Sequence, residues 1–550
     1  MCFWPVPPAA PKERCPMNKK LFTAYSLLFS FFFLACNLSG GSSIENPAAG
    51  YGVDRENALY MVGGQPQTLD PATTRGGASG PVGSIFSGLV ALDTNLQVKP
   101  GLAAGWEVSP DGTLYTFYLR QDASFHNGRP VTAEDVVFSW ERAVDPATGS
   151  DTAMTYLGDI VGTAEKNNSQ AATISGLQII DEHTLAVRID APKVYFLSKL
   201  TYPVSFIVDR ENVGLPDWDH SPNGTGPFTL QEWQDDEILI LAANENFYLE
   251  PPSISHVVYL MGAGIPLSMY EQGQIDLVGV GGSTLERVQD PNDPLYPDLR
   301  IGVNMCTGMI GLNTAEPPFN DPLVRRAFSY AFDRERLISG LLKGNALPAF
   351  GPLPPGMPGY SDDIQGYMYD PEKARALLAE AGYPNPADFP IITYTTAGYG
   401  TVGSSVTAVI TMWQETLGVT IEPVLVEPFD YLDELYSGNT GNIYGHGWCA
   451  DYPDPENFLD ILFHTGSQQN LGRYSSPEID RLLEQARIEP DFPTRMALYA
   501  QIEQLLVNDA PAIFTTHSLS AELVAPRLQN YLLTPIGVAQ WQHVSLVPTR

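Results

Sequence analysis

The chain has 550 residues, 44% of them apolar and 17% charged, which is a globular composition on a chain too long for one core, so two or three lobes are expected. Formal net charge is −33; Lys12, Arg14, Lys19, Lys20 and Glu13 precede Cys36, which leaves 26 basic against 62 acidic residues from there on. That excludes a nucleic-acid binder, which needs basic surface, and the five cysteines and eight histidines show neither CxxC nor ligand spacing, so no metal and no cofactor is expected.

Residues 1–35 read as a signal segment with its true start at Met17: a basic run Met17-Asn18-Lys19-Lys20, then an apolar run Leu21–Ala35 too short to span a membrane comfortably. Ala35-Cys36 and the Gly/Ser-rich stretch after it resemble a bacterial lipoprotein signal, which implies cleavage before Cys36, a lipid on its thiol and a tether over 36–54. A plain secretory signal is the alternative. No later stretch of 18 apolar residues follows, so the remainder is expected to be soluble and extracytoplasmic. Cys306 and Cys449 then remain as a lone pair, which invites a disulfide outside the cytoplasm.

In chain order, a strand is expected from Asn57 to Gly63, a small-residue loop over 73–80 and an amphipathic helix near Val82–Leu92. Thr113–Arg120 alternates as a strand. Thr132 and Asp135 form a capping box before the stripe Val136, Trp140, Ala143/Val144. Leu177–Ile180 and Leu185–Ile189 read as a hairpin, and Asn223-Gly-Thr-Gly-Pro-Phe228 leads into a strand paired with Ile238–Ala242. Asp321-Pro322 and Asp370-Pro371 open capped helices. Further helices are expected over 402–417, 431–436, 477–487 and 493–508, with strands over 391–396, 419–426 and 511–516. This alternation over 300–517 predicts βαβ units and a largely parallel sheet.

The stretch Asn442–Pro455 (Asn-Ile-Tyr-Gly-His-Gly-Trp-Cys-Ala-Asp-Tyr-Pro-Asp-Pro) reads as a buried strand opening into a loop. Two readings compete at Asp451. It starts a turn, with Trp448 as ordinary core; or the carboxylate beside a large ring receives an ammonium group.

Several segments resemble the family 5 extracellular solute-binding proteins, the peptide-binding subunits of ABC importers. They are Asp122–Pro146, Asn223–Leu230, Gln272–Asp276 and Leu312–Ala327 with its Pro317-Pro318-Phe319. Trp448-Cys449-Ala450-Asp451-Tyr452, with a second cysteine at Cys306, is similar to the oligopeptide-binding type. The resemblance implies an α/β, two-lobed periplasmic-binding-protein fold (class II, cluster C type) with an inserted domain. Lobe I would be 55–82, 212–305 and 518–550, the insertion 83–211 and lobe II 306–517, hinged near 305 and 517. It implies a Cys306–Cys449 disulfide, Asp451 as receptor of a peptide α-ammonium, backbone pairing at Gly447 and Cys449, pockets lined by Trp448 and Phe429, and opposing contacts from Arg75, Gly76, Gly77 and Tyr156. It further implies an oligopeptide ligand, permease partners in the membrane, a lipid anchor and a monomer.

Three departures stand out. Gly445, with His446 beside it, replaces a basic residue used on the ligand's C-terminal end. Thr307–Gly311 lacks an acidic residue. Arg75 stands where the relative is acidic, and could take over carboxylate binding. A non-peptide solute, or a peptide-sensing lipoprotein, is the alternative on the same fold. An enzyme is disfavoured, since no G-x-S-x-G, H-E-x-x-H, P-loop or G-x-G-x-x-G occurs.

Overall fold

The computed structural model describes residues 46–75, 80–262, 264–538 and 540–548. Cys36 and the signal segment lie outside them, as do Gly76 and Gly77. No helix among the described residues is long and apolar enough to cross a membrane.

One curled sheet organises the chain. Its strands run in the spatial order Ile421–Val426, Ile392–Ala397, Ile443–Cys449, Leu299–Leu312, Ala512–Val524, Leu277–Gly279, Ala58–Val62, His256–Leu260, Ile238–Ala243, Phe228–Gln234, with Ala346–Pro348 beside Ala512–Val524. Two long strands, Leu299–Leu312 and Ala512–Val524, pair antiparallel and belong to both halves of the sheet. Leu299–Val303 pairs with Leu519–Leu523, and Thr307–Gly311 pairs with Ala512–His517. The register breaks between Val303 and Thr307. Such a break bends a strand, and this one falls where the two halves meet.

The sheet is mixed, which corrects the expectation for 300–517. Ile392–Ala397 pairs parallel with Ile421–Val426 and with residues 443–444, but Ile443–Cys449 runs antiparallel to Leu299–Leu312. Alternation of helix and strand is a local pattern. It carries no information about a neighbour supplied from far along the chain.

A second correction concerns Val82–Leu92. Helix forms only over Pro81–Ile85, and Val90–Leu92 is a strand paired with Val98–Pro100. The apolar spacing is helical, but Ser87 N–H is taken by the Thr225 hydroxyl at 3.2 Å and a side chain at Gly88 would crowd the Leu200 carbonyl at 3.1 Å. Tertiary contact overrides the pattern here. A third is the strand expected over 511–516, which continues to Val524.

Elsewhere local signals act as expected. Thr132 and Asp135 form the capping box of Ala133–Ala143, whose Trp140 is fully buried and donates its indole N–H to the Ser205 carbonyl at 2.8 Å. Asp321 and Asp370 cap Pro322–Tyr330 and Pro371–Glu380. A four-stranded antiparallel sheet, Ala103–Val108, Leu114–Leu119, Thr184–Arg188 and Leu177–Asp181, packs with Ala133–Ala143 around a core of its own, which Ala72 also joins. Tyr452 is buried in that same core, although it follows the site strand by only three residues.

The two glycines of Asn223-Gly-Thr-Gly-Pro-Phe228 have a packing reason. A Cβ on Gly224 would sit 2.0 Å from the Ile85 carbonyl oxygen, and one on Gly226 would sit 2.3 Å from that of Ser84. Backbone cannot swing aside as a side chain can. Gly224→Ala is therefore expected to cost about 2–4 kcal/mol, read as a lower unfolding midpoint in urea. A wild-type midpoint would contradict this packing.

Candidate functional site

A cleft of ≈ 1080 Å³ opens against the two long strands and is lined from both halves of the sheet. Arg75, Tyr156, Tyr202 and Phe206 face it from one side, and Tyr431, Tyr436 and residues 445–451 from the other. Asn304, Cys306, Ser520 and Glu522 of the long strands also line it.

The strand Ile443–Cys449 explains how backbone reaches this cleft. It pairs along its length with Leu299–Leu312, and Cys306 sits directly opposite Cys449, to which it is disulfide-bonded. On its other edge, pairing with Ile392–Ala397 stops at Tyr444. Beyond that point no strand among the described residues pairs with 445–449 on this edge; Gly445 C=O accepts from the Tyr431 hydroxyl at 2.7 Å. Gly447 is exposed, and the nearest atom to a Cβ there would be a carbonyl 3.7 Å away. An open strand edge with small residues can take an added extended chain.

Asp451 follows two residues after that strand. Asn457, fully buried at the start of Glu456–Phe463, orients it. Asn457 Oδ1 accepts from Trp448 Nε1 at 3.1 Å and from Asp451 N–H at 3.0 Å, while Asn457 Nδ2 donates to Asp451 Oδ2 at 3.3 Å. The Tyr156 hydroxyl donates to the same Oδ2 from the opposite side. The Tyr156 ring stacks on Tyr202 at 3.9 Å, and burial pushes its pKa well above the usual value, so it stays a donor. Among the described residues Asp451 Oδ1 has no protein donor and Asp451 has no ion-pair partner. Burial pushes its carboxyl up to about 6, against the pull of its two hydrogen bonds.

Behind Asp451 a buried ionic cluster joins the segment carrying Tyr156 to the helix carrying Asn457. Lys199 contacts Asp159 at 3.0 Å and Glu456 at 3.3 Å, and Lys193 contacts Asp159 at 2.7 Å. Burial, though opposed by Lys199, pushes Glu456 up to about 7, and its carboxylate accepts from the Tyr452 hydroxyl. Asp454 pairs with Arg495 at 2.6 Å and serves the fold.

Several expected site residues thus come together: Asp451, Trp448, Gly447, Cys449, Tyr156 and Arg75 all line the cleft. Phe429 does not; it is 64% exposed, and Tyr431 and Leu432 reach the cleft in its place. Arg75 is already engaged. It bonds Asp151 through Nε at 2.8 Å and Asp433, across the cleft, at 2.6 Å. His446 lines the cleft with Nε2 buried and unpartnered, and burial pushes it down to about 4, so it is neutral at pH 7. Asn457, Lys199, Glu456 and Glu522 were not legible as site residues. No motif marks them, because their partners lie far along the chain. No group of three or more metal-ligating side chains occurs among the described residues.

The sequence matches bacterial extracellular solute-binding proteins, family 5 (middle) over residues 97–470. It is 30% identical over 524 residues to the periplasmic oligopeptide-binding protein OppA of Escherichia coli K12, covering 90% of this chain and 94% of that protein. It is 30% identical over 514 residues to heme-binding protein A of Haemophilus influenzae, covering 89% and 92%. The fold superposes on the E. coli murein tripeptide binding protein MppA with a TM-score of 0.79, at 26% identity, covering 90% of this chain and 100% of that one.

Asp451 generates a pH prediction. Its folded pKa lies above the unfolded value of 3.8, so its ionisation costs stability as pH rises through about 6. A cationic amine ligand needs the ionised form. Amine affinity is expected to rise between pH 5 and 7.5, measured by calorimetry. Asp451→Asn is expected to flatten that rise, weaken binding by about 30-fold or more and raise the ligand-free unfolding midpoint at pH 7.5. Unchanged affinity in the variant would remove the ammonium-receptor role.

Proposed function

We propose, from the premise that this chain belongs to the family 5 bacterial extracellular solute-binding proteins, that it captures oligopeptides outside the cytoplasm and delivers them to the permease of an ABC importer. It is a binding protein and not an enzyme. What carries the reading is one juxtaposition: Asp451 Oδ1, a carboxylate oxygen without a donor among the described residues, stands at the end of an unpaired strand edge inside a cleft lined from both sheet halves. An extended peptide adds to residues 445–449 as a strand, which holds peptides of any sequence by their backbone, and Asp451 fixes the amino end. Relatives named for oligopeptide and dipeptide binding support the peptide as ligand class.

In this reading, segments 55–82, 212–305 and 518–550 form one lobe with the insertion 83–211, and 306–517 forms the other. The long strands bend near 303–307 and 517–519, and ligand contacting both lobes shifts the population towards closure. Tyr156 and Asp451 meet across that closure, as do Arg75 and Asp433. Trp448, Gly447 and Cys449 contact the ligand from one lobe and Arg75 with its following loop from the other. Cys36 carries the lipid that keeps a monomer at the membrane.

Native mass spectrometry of the purified protein, with sequencing of what denaturation releases, tests the ligand class. A ladder of mixed short peptides is expected. A single non-peptide species, with no binding from peptide libraries, would retain the fold and overturn the peptide reading.

A further inference from the structure

We propose that Tyr431 limits the length of peptide this site rewards, by ending the added strand at about the fourth residue from a free amino end; this deepens the peptide reading above and rests on it.

Register shows which peptide groups of the site strand face the ligand. Ala450 N–H donates to the Met305 carbonyl at 2.7 Å, and Asn313 N–H donates to the Asn442 carbonyl at 3.0 Å. Both pairs are in register with the ladder that sets Cys449 opposite Cys306. Bonded and non-bonded pairs alternate along an antiparallel ladder, so Tyr444, His446 and Trp448 direct their peptide groups to Leu299–Leu312. Gly445, Gly447 and Cys449 turn theirs to the other edge, towards the cleft.

That edge is open at Gly447 and Cys449 and closed at Gly445. The Tyr431 hydroxyl donates to the Gly445 carbonyl at 2.7 Å, and the Thr395 carbonyl lies 3.2 Å from the same hydroxyl. It stands in the gap where Ile392–Ala397 leaves the site strand after Tyr444. An added strand would place an amide nitrogen about 2.9 Å from the Gly445 carbonyl, and the phenol oxygen holds that position. Burial keeps the Tyr431 phenol above its usual pKa, so it retains the proton it donates.

The side chain is fixed from behind. Tyr431 opens the helix Tyr431–Tyr436, whose buried Leu435 packs with Tyr444 and Leu471, and the Tyr431 side chain packs against the same cluster. This helix, Ile392–Ala397 and the site strand all lie within 306–517. The stop therefore belongs to one proposed lobe and does not depend on closure.

The same register counts the residues. A peptide whose ammonium meets Asp451 runs antiparallel to the site strand, from Cys449 towards Gly445. With its first residue opposite Cys449, its third faces Gly447 and its fifth would face Gly445. Ladder bonds are open to the first and third residues, and the fourth is the last before Tyr431. A longer peptide has to leave the edge there.

The test is calorimetric titration of the protein and of Tyr431→Ala with tri-, tetra-, penta- and hexa-alanine. In the native protein penta- and hexa-alanine are expected to bind no tighter than tetra-alanine. In Tyr431→Ala, which frees the Gly445 carbonyl, hexa-alanine is expected to bind about fivefold or more tighter than tetra-alanine. Measurable tri-alanine binding by the variant reports an intact cleft. The native series stands on its own: a fivefold or greater gain from tetra- to hexa-alanine there overturns the stop, whatever the variant does. A variant that binds tri-alanine but gains nothing from the longer peptides overturns it too. Failure of every peptide to bind the native protein overturns the peptide reading, and this inference with it.

Discussion

A carboxylate enclosed without a cation is the constraint on which this site depends. Asp451 has a tyrosine hydroxyl and an amide as donors but no countercharge among the described residues, and burial pushes its pKa to about 6. An ionised group in that position is costly unless something positive arrives. In the proposed function the positive charge comes from the ligand. The surroundings keep the carboxylate aimed while it waits. Asn457 ties it to Trp448, and the Lys199 cluster ties the helix of Asn457 to the segment of Tyr156. Buried ion pairs of this kind add little net stability, but they admit few alternative geometries.

The long strands make the site a matter of relative position. Cys306 and Cys449 clamp the site strand to Leu299–Leu312 at the register break between Val303 and Thr307. On the far side of that break lie Glu522 and the aromatic wall of Tyr531 and Trp541. A ligand held by Asp451 and the edge of residues 445–449 that also touches the opposing lobe, as proposed, would favour closure because it touches both sides. Arg75 behaves differently from a ligand anchor. Its bonds to Asp151 and Asp433 join the rims of the cleft and offset its charge.

Much of the fold was legible because it is local. Thr132 with Asp135, Asp321 with Pro322 and Asp370 with Pro371 each begin a helix as capping chemistry requires. The hairpin about Asp181–Thr184 follows its turn residues. The misreadings share one cause. Val82–Leu92 has helical spacing, but Thr225 and Leu200 arrive from elsewhere and break it. The expected parallel sheet failed because Ala512–Val524 inserts between strands that lie far from it in sequence. In the site, Asp451 and Trp448 come together as one short motif, whereas Tyr156 reaches the same cleft from far along the chain, where only the resemblance pointed to it. Phe429, which the resemblance implied as a pocket wall, is instead exposed and does not line the cleft. Asn457 and Glu522 carry no motif; only long-range packing gives them partners.

The most direct measurement is the affinity of one short peptide with a free amino terminus against its N-acetylated twin, at pH 7.5. Acetylation is expected to weaken binding by about 30-fold or more, because it removes the charge that Asp451 lacks. Equal affinities would mean that Asp451 does not receive the amino end of the ligand, and the role proposed for the enclosed carboxylate would be wrong.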